Sequence, residues 1–463
     1  MNVLFLTFTH PGYMPPLVLS DRQITAGPGY ETTRVDGRVA SLNVPLGPFD
    51  LPPVIAALPD DQKPELVVVQ MDSYENFKPL GLSAVRAPKL LLIADTHHGD
   101  GALAKMLDYA RSQPFDRVAL IHDPHHLHWF AEAGIKDVRY LPNINVRDFE
   151  APFSETRSRR IDFVGQLSAN HPRRRYLIEV MRSAGLPIRA GKASAAIAAG
   201  IYGKSQITFN CSLNGDLNMR VFEVLGAGGF LVTDRLSPQA GLETFFKAGE
   251  HYVDYEGEAD LLEKLAYYLA RPEECLKIAR AGQQAYLAAH TPDHRRREVL
   301  AHAGGAPVPP FHDRRANPDL PGFGLNLFER VRLYEMFQTL CLERQKLVVV
   351  VDETAGARIA SDLADLRPIE LHVRVAPERS AAMAAALADL GVAGQVRLAS
   401  QPPPGWNFMV RDVRSPEAIE GGDRRAVLAL VGAGAMQALD RIRLSTAGFA
   451  PIGGRDWLFG RKA

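Results

Sequence analysis

The residue types best suited to chemistry fall together in Asn218-Met219-Arg220-Val221-Phe222-Glu223, ahead of Gly228-Gly229 and the apolar run Phe230–Thr233. A polar turn here feeds a short helix, two glycines end it, and a strand follows. A carboxylate at the start of a helix, such as Glu223, can accept two hydroxyls of one ribose. Backbone N–H groups at a helix N-terminus and in nearby loops attract an anion such as a diphosphate. Arg220 offers a fork of donors that suits phosphate or orients Glu223. Gly228 and Gly229 permit a left-handed helix end and close approach of backbone to a ligand. Taken alone, the segment also reads as an ordinary helix-to-strand turn with an exposed salt bridge.

Histidines supply the second constellation. Leu90–Ala94 runs into Asp95-Thr96-His97-His98-Gly99, so a strand ends in polar residues. A neutral imidazole there could bind a sugar hydroxyl or act as a base, and a protonated one could contact phosphate; a cap for the next helix is the bland alternative. His122-Asp123-Pro124-His125-His126-Leu127-His128 invites a metal reading. Pro124 and the following helix would splay those side chains, so no metal is assigned, and the cluster is expected to line a cleft or to form a solvated helix entry. His10, in the loop after the first strand, is a further candidate base, although a plain Pro-Gly turn explains that loop equally well.

The elements that must hold these residues are legible as short apolar runs alternating with amphipathic stretches, the pattern of parallel sheets wrapped by helices. In the first third the strands are expected at 3–7, 66–70, 90–94, 117–121 and 138–141, with helices at 102–111 and 127–133. A second unit has strands at 161–164, 188–190, 206–209, 230–233 and 252–254, and helices at 173–184, 220–225, 259–269 and 272–288. Two such domains in tandem leave a cleft at the C-terminal strand edges, where these sheets bind ligands. The expected organisation is a Rossmann-like domain over 1–150, a second over 151–303, a Pro/Gly-rich linker over 304–324 and a third α/β domain over 325–463.

Bulk properties narrow the partners. Over 463 residues, 53 basic side chains balance 53 acidic ones, so no global field favours nucleic acid or an anionic membrane. Cys211, Cys275 and Cys341 lie too far apart for a disulfide framework and suit a reducing, cytoplasmic compartment. The N-terminal apolar run stops short of a bilayer span, and oligomeric state is not readable.

Several motifs in order resemble the donor-binding half of the CgeB-like (spore maturation protein) bacterial glycosyltransferases, within the wider GT-B superfamily. They are Phe163-Val164-Gly165 followed by Arg173-Arg174-Arg175, then Lys204-Ser205-Gln206-Ile207-Thr208-Phe209-Asn210, then Asn218, Arg220, Phe222 and Glu223, and later Tyr267-Tyr268-Leu269 and His290-Thr291-Pro292-Asp293-His294-Arg295. The resemblance implies a GT-B fold and transfer of a sugar from a nucleoside-diphosphate donor to a glycan, lipid-linked or protein hydroxyl, with no cofactor and no metal. It implies donor contacts from Gly165, Arg173, Arg174, Ser205, Asn210, Asn218, Arg220, Glu223, Gly228 and Thr233, and catalytic roles for His10, His97 and His98. One departure stands out. Retaining GT-B families often carry a second Glu eight residues before the first, and Gly215 occupies that place, with Asp216 and Asn218 the nearest polar substitutes; retaining and inverting outcomes stay open. Epimerisation of a nucleotide sugar and a non-catalytic scaffold are the rival readings.

Residues 347–463 resemble a methyltransferase-like Rossmann domain in element order, including a final hairpin. No glycine-rich turn follows Leu347–Val351, and the next strand ends in Arg374-Val375-Ala376 without the acidic residue that would bind a ribose. The domain is therefore expected to be degenerate and to serve docking or interaction.

Overall fold

The computed structural model describes residues 1–9, 16–142, 149–168, 171–306, 325–342, 346–367, 369–412, 427–430, 449–451 and 458–461. It has the α/β class read from the sequence, and its contacts separate two units, Met1–Phe130 with Gly134–Phe311, and Ala131–Ala133 with His312–Ala463.

In the first unit the leading elements are β1 (Asn2–Thr7), β2 (Arg22–Gly27), β3 (Thr33–Val35), β4 (Arg38–Asn43), β5 (Gly47–Asp50), α1 (Leu51–Ala56), β6 (Leu66–Met71), β7 (Phe77–Leu80), β8 (Lys89–Ile93), α2 (Ala102–Ser112), β9 (Arg117–Leu120), α3 (Leu127–Glu132) and β10 (Val138–Tyr140). Eight of these strands form one sheet in the order β10-β9-β8-β6-β1-β2-β4-β3, parallel except where β3 meets β4. β1, β6 and β8 are buried along their whole length, as the centre of a sheet covered on both faces must be.

A second sheet, β12-β11-β13-β14-β15, is wholly parallel. Its elements are β11 (Ser158–Val164), α4 (Pro172–Ser183), β12 (Ile188–Gly191), α5 (Ala195–Lys204), β13 (Ser205–Phe209), α6 (Met219–Gly226), β14 (Leu231–Asp234), α7 (Leu242–Phe245), β15 (Val253–Tyr255), α8 (Gly257–Leu269), α9 (Pro272–Ala289) and α10 (Pro292–Ala303). Phe163, Ile207, Phe209, Val232 and Leu265 share its core. Helix α10 does not: Val299 is buried among Val3, Phe5, Val68 and Leu92, and His302 lies 3.2 Å from the carbonyl of Val118. The last helix of the unit thus completes the core of the first sheet.

The second unit holds α11 (Leu327–Leu342), β16 (Leu347–Asp352), α12 (Gly356–Leu363), β17 (Ile369–Arg374), α13 (Ser380–Asp389), β18 (Val396–Ala399), β19 (Phe408–Asp412), β20 (Val427–Leu430), β21 (Phe449–Pro451) and β22 (Leu458–Arg461). Its sheet order is β18-β17-β16-β19-β20-β22-β21, with β22 antiparallel to both neighbours, so the expected closing hairpin is present. Most of the expected 304–324 linker lies outside the described residues. Among those described, no helix is long and apolar enough to cross a membrane.

Candidate active site

Parallel strands deliver their C-terminal ends to one edge of a sheet, and loops leaving that edge carry the polar groups. In the first unit both sheets obey this rule around a shared cavity of about 560 Å³, within the size range of small-molecule sites. Phe8 follows β1, Asp72 follows β6, Asp95, His97 and His98 follow β8, and His122 follows β9. Gly165 follows β11, Lys192 follows β12, and Leu213, Asp216 and Asn218 follow β13. The amide of Leu217 donates to the carbonyl of His122 at 3.1 Å and ties the two loop sets together.

The second-sheet side of the cavity gathers positive charge. Helices α4, α5 and α6 begin at this edge, and among the described residues no side chain caps their N-termini. The starts of these helices therefore turn positive partial charge toward the cavity. Lys192, Arg174 and Arg220 add full charges to the lining. Arg220 is fixed by three supports: Nε donates to Val164 O at 2.8 Å, one terminal nitrogen donates to Asn210 Oδ1 at 2.6 Å, and the guanidinium lies 4.5 Å from the Phe163 ring centroid. Gly165 makes room for this arrangement, because a Cβ there would fall 2.1 Å from the Arg220 guanidinium. Glu223, one turn beyond Arg220, lines the same cavity.

The first-sheet side is built from carboxylates and imidazoles. His97 is 4% exposed; its Nδ1 donates to Asp123 at 2.8 Å, Asp95 lies at 3.3 Å, and its Nε2 is 4.0 Å from Asp216. Burial by itself would push His97 down, but the carboxylates of Asp123 and Asp95 override it and hold the ring up at about 10. His97 is therefore a fixed imidazolium at neutral pH. That is the phosphate-contacting or structural option of those open to it in the sequence, since a cation cannot serve as a base. Desolvation would raise the half-buried Asp95, but His97 and His98 hold it well below the usual carboxylate range. Asp123 accepts from the Thr96 amide at 3.2 Å, Thr96 Oγ1 at 2.6 Å and His97.

His98 differs from its neighbour. It is half-buried, its Nδ1 pairs with Asp95, and its ring lies 6.2 Å from that of His171 across the cavity. Burial and the nearby cations Arg174 and Arg220 push His171 down to about 4, so it is neutral. His122 is likewise lowered by burial. The remaining histidines of the second cluster, His125, His126 and His128, are buried rather than forming the solvated helix entry that their spacing suggested. Donor atoms of Asp95, His97 and His98, and those of Asp123, His125 and His126, lie within 4.8 Å of one another, a spacing that a cation could use. Several are already bonded to each other or to Thr96.

The structure sorts the expected donor contacts. Gly165, Arg174, Asn218, Arg220 and Glu223 line the cavity, as do His97 and His98. Arg173 does not; it points to Asp234 at 3.9 Å. Ser205 starts β13, at the opposite edge of the sheet, where its hydroxyl donates to Asp162 and lies 2.7 Å from Ile201 O. Asn210 and Thr233 are buried behind the site, joined to each other at 2.9 Å, and Asn210 positions Arg220. Gly228 ends α6 with φ 70° and packs on Phe153 and Gln283, away from the cavity. His10 lies outside the described residues. Lining residues without an expected role include His171 and Lys192, and Asp72 and Tyr74 in a turn of no recognisable motif. Asp216, named only as a polar substitute, faces His97.

Residues 156–301, which build the second sheet and its helices, match the family described as glycosyl transferase-like. That segment resembles glycosyl transferases. None of the curated proteins matches the chain in sequence. Among solved structures, similar chains include sucrose-phosphate synthase from Thermosynechococcus elongatus (9% identity, TM-score 0.47, 65% of this chain and 98% of that one). Others are Anabaena Alr3699/HepE in complex with UDP and glucose (13%, 0.46, 66% and 100%) and S. aureus TarM (11%, 0.40, 51% and 54%). The match spans about half the length (54%) of TarM. At these identities and TM-scores the likeness assigns no substrate.

Proposed function

We propose that the chain is a cytoplasmic GT-B glycosyltransferase of the CgeB-like group, moving a sugar from a nucleoside-diphosphate donor to a hydroxyl of a glycan, lipid-linked or protein acceptor. The observation that carries this reading is the convergence of Arg174, Arg220, Glu223 and three uncapped helix starts on one cavity, within a segment that resembles glycosyl transferases. Glu223 would take the ribose hydroxyls. Arg220 and Arg174 would hold the diphosphate and stabilise the charge that grows on it as the sugar leaves. These cations and helix ends would supply the positive charge that a divalent metal otherwise brings to a diphosphate, so transfer is proposed to be metal-independent. His98 and Asp216 would address the sugar, with His97 contacting phosphate or fixing the loop that carries His98. Three buried free cysteines accord with a reducing compartment.

The second unit supports a non-catalytic role. Its strand order accords with the methyltransferase-like reading, but Arg374 stands where a ribose-binding carboxylate is expected. Its Nε donates to Asp352 at 2.7 Å, and Glu353 accepts from the Ala376 amide at 3.0 Å. The strand ends that would receive a cofactor are closed by their own ion pairs, which favours an interaction or acceptor-docking module.

Titration calorimetry of the full chain with nucleoside mono- and diphosphates of several bases tests the donor site. A diphosphate should bind about 10- to 100-fold tighter than its monophosphate, the worth of one or two charge-assisted hydrogen bonds. Equal affinities, or no binding by any nucleotide, would refute it.

A further inference from the structure

Two carboxylates stand side by side on the cavity wall opposite the cations, and the donor site uses neither directly. Asp72 and Asp95 follow β6 and β8, adjacent strands in register at Gln70↔Leu92 and Met71↔Ile93. Asp95 is fully engaged: it accepts from the amides of His97 and His98 at 2.8 and 3.0 Å and from the His98 ring. Asp72 accepts from the Tyr74 amide at 3.2 Å. Its turn is held rigidly. Ser73 Oγ donates to His98 O at 2.6 Å, and Glu75 sits in the left-handed region at φ 53°, a conformation that costs energy for a side chain of its kind.

We propose that Asp72 is the general base of an inverting transfer, a reading that rests on the donor site proposed above. The acceptor hydroxyl oxygen forms its bond to the anomeric carbon as the bond from that carbon to the diphosphate oxygen breaks. The nucleoside diphosphate leaves with the electron pair, and the hydroxyl proton passes to the Asp72 carboxylate. Division of labour between the two acids follows from their surroundings. Asp95, beside two imidazoles, stays ionised. Burial first, and then the charge of Asp95, push Asp72 up to about 6, with His98 opposing. A carboxylate poised there is ionised at neutral pH yet keeps more affinity for a proton than an ordinary one. Tyr74, on the same turn, is a further titratable group that feels its charge.

The test uses the full chain and a panel of UDP-, GDP-, dTDP- and ADP-sugars, with water as the acceptor. Binding is read by thermal shift, turnover by release of nucleoside diphosphate, and stereochemistry by NMR of the freed sugar. Wild type should release the sugar with inverted configuration and a rate that rises with pH through about 6. Asp72→Asn should keep the donor-induced thermal shift, lose about 100-fold or more in turnover, as loss of a general base does, and lose that pH limb. Asp72→Glu should recover part of the rate. Donor binding with an Asp72→Asn rate near wild type, with retained configuration, or with no turnover by wild type would overturn the role of Asp72 alone. Failure of wild type to bind any of these donors would overturn the donor site, and this inference with it.

Discussion

Replacing His97 with Gln should change how stability depends on pH, and the size of the effect follows from the ring's surroundings. The imidazolium lies among Asp95, Asp123 and Asp216, with a side chain 2% exposed. Its folded-state value of about 10 exceeds the ordinary 6.5. A raised histidine contributes stability that is fully present below the unfolded value and is lost as pH rises through the folded one. Over the whole interval the ceiling is about 5 kcal/mol, taking roughly 1.4 kcal/mol per unit. Between about pH 7 and 9.5 the expected loss is about 3 kcal/mol. Asp95 and Asp123 are depressed, so their share is present above the ordinary carboxylate value and lost only in acid. Between those limits the network should be at full strength. Denaturant unfolding of the first unit, compared at several pH values, gives the measurement. Wild type should lose about 3 kcal/mol relative to His97→Gln across that alkaline window, and at neutral pH the variant should be about 3–5 kcal/mol weaker, the cost of breaking a buried pair. Parallel curves for the two proteins would refute the assignment of His97 as a buried cation.

Other perturbations probe the opposite wall. Gly165→Ala places a methyl where the Arg220 guanidinium now sits; nucleoside diphosphate affinity by calorimetry should fall about 10- to 100-fold with the fold intact, and an unchanged affinity would remove Arg220 from the phosphate site. Asp72→Asn should raise thermal stability at about pH 7.5 by about 1–2 kcal/mol. The full shift of Asp72 from 3.8 to about 6 is worth about 3 kcal/mol, and partial exposure screens part of it. The sign is set by a carboxyl that prefers its proton in the folded state and destabilises the fold as it ionises; a loss of stability in the variant would contradict it.

The sheets were legible where strands are covered on both faces. Residues 66–69 and 347–351 are unbroken apolar runs, and the strands that hold them, Leu66–Met71 and Leu347–Asp352, are fully buried. β2 and β4 lie toward an edge, with alternating partly exposed positions, and Arg22, Gln23 and Ser41 interrupt any apolar signal. Helix α5 escaped notice because Ala195–Lys204 is apolar nearly all round and contains two glycines. Helix α10, rich in arginine, shows almost no periodicity, yet Arg295, Val299 and His302 are buried. At the site, residues at the ends of strands or the start of a helix were readable, since parallel topology sends them to one edge. Ser205 begins a strand rather than ending one, which sends it to the other edge. Asp72 was unreadable because its partners, Asp95 and His98, are more than twenty residues away and meet it only through the adjacency of β6 and β8.

Thermal unfolding of wild type and Glu223→Ala against a panel of nucleotides and nucleotide sugars tests the central claim most directly. At about a hundred times its dissociation constant, a bound donor should add about 2.7 kcal/mol to wild type. The account predicts stabilisation by nucleoside diphosphates or their sugars that is lost in Glu223→Ala. Equal stabilisation of both proteins, or of neither, would contradict a donor site built on Glu223.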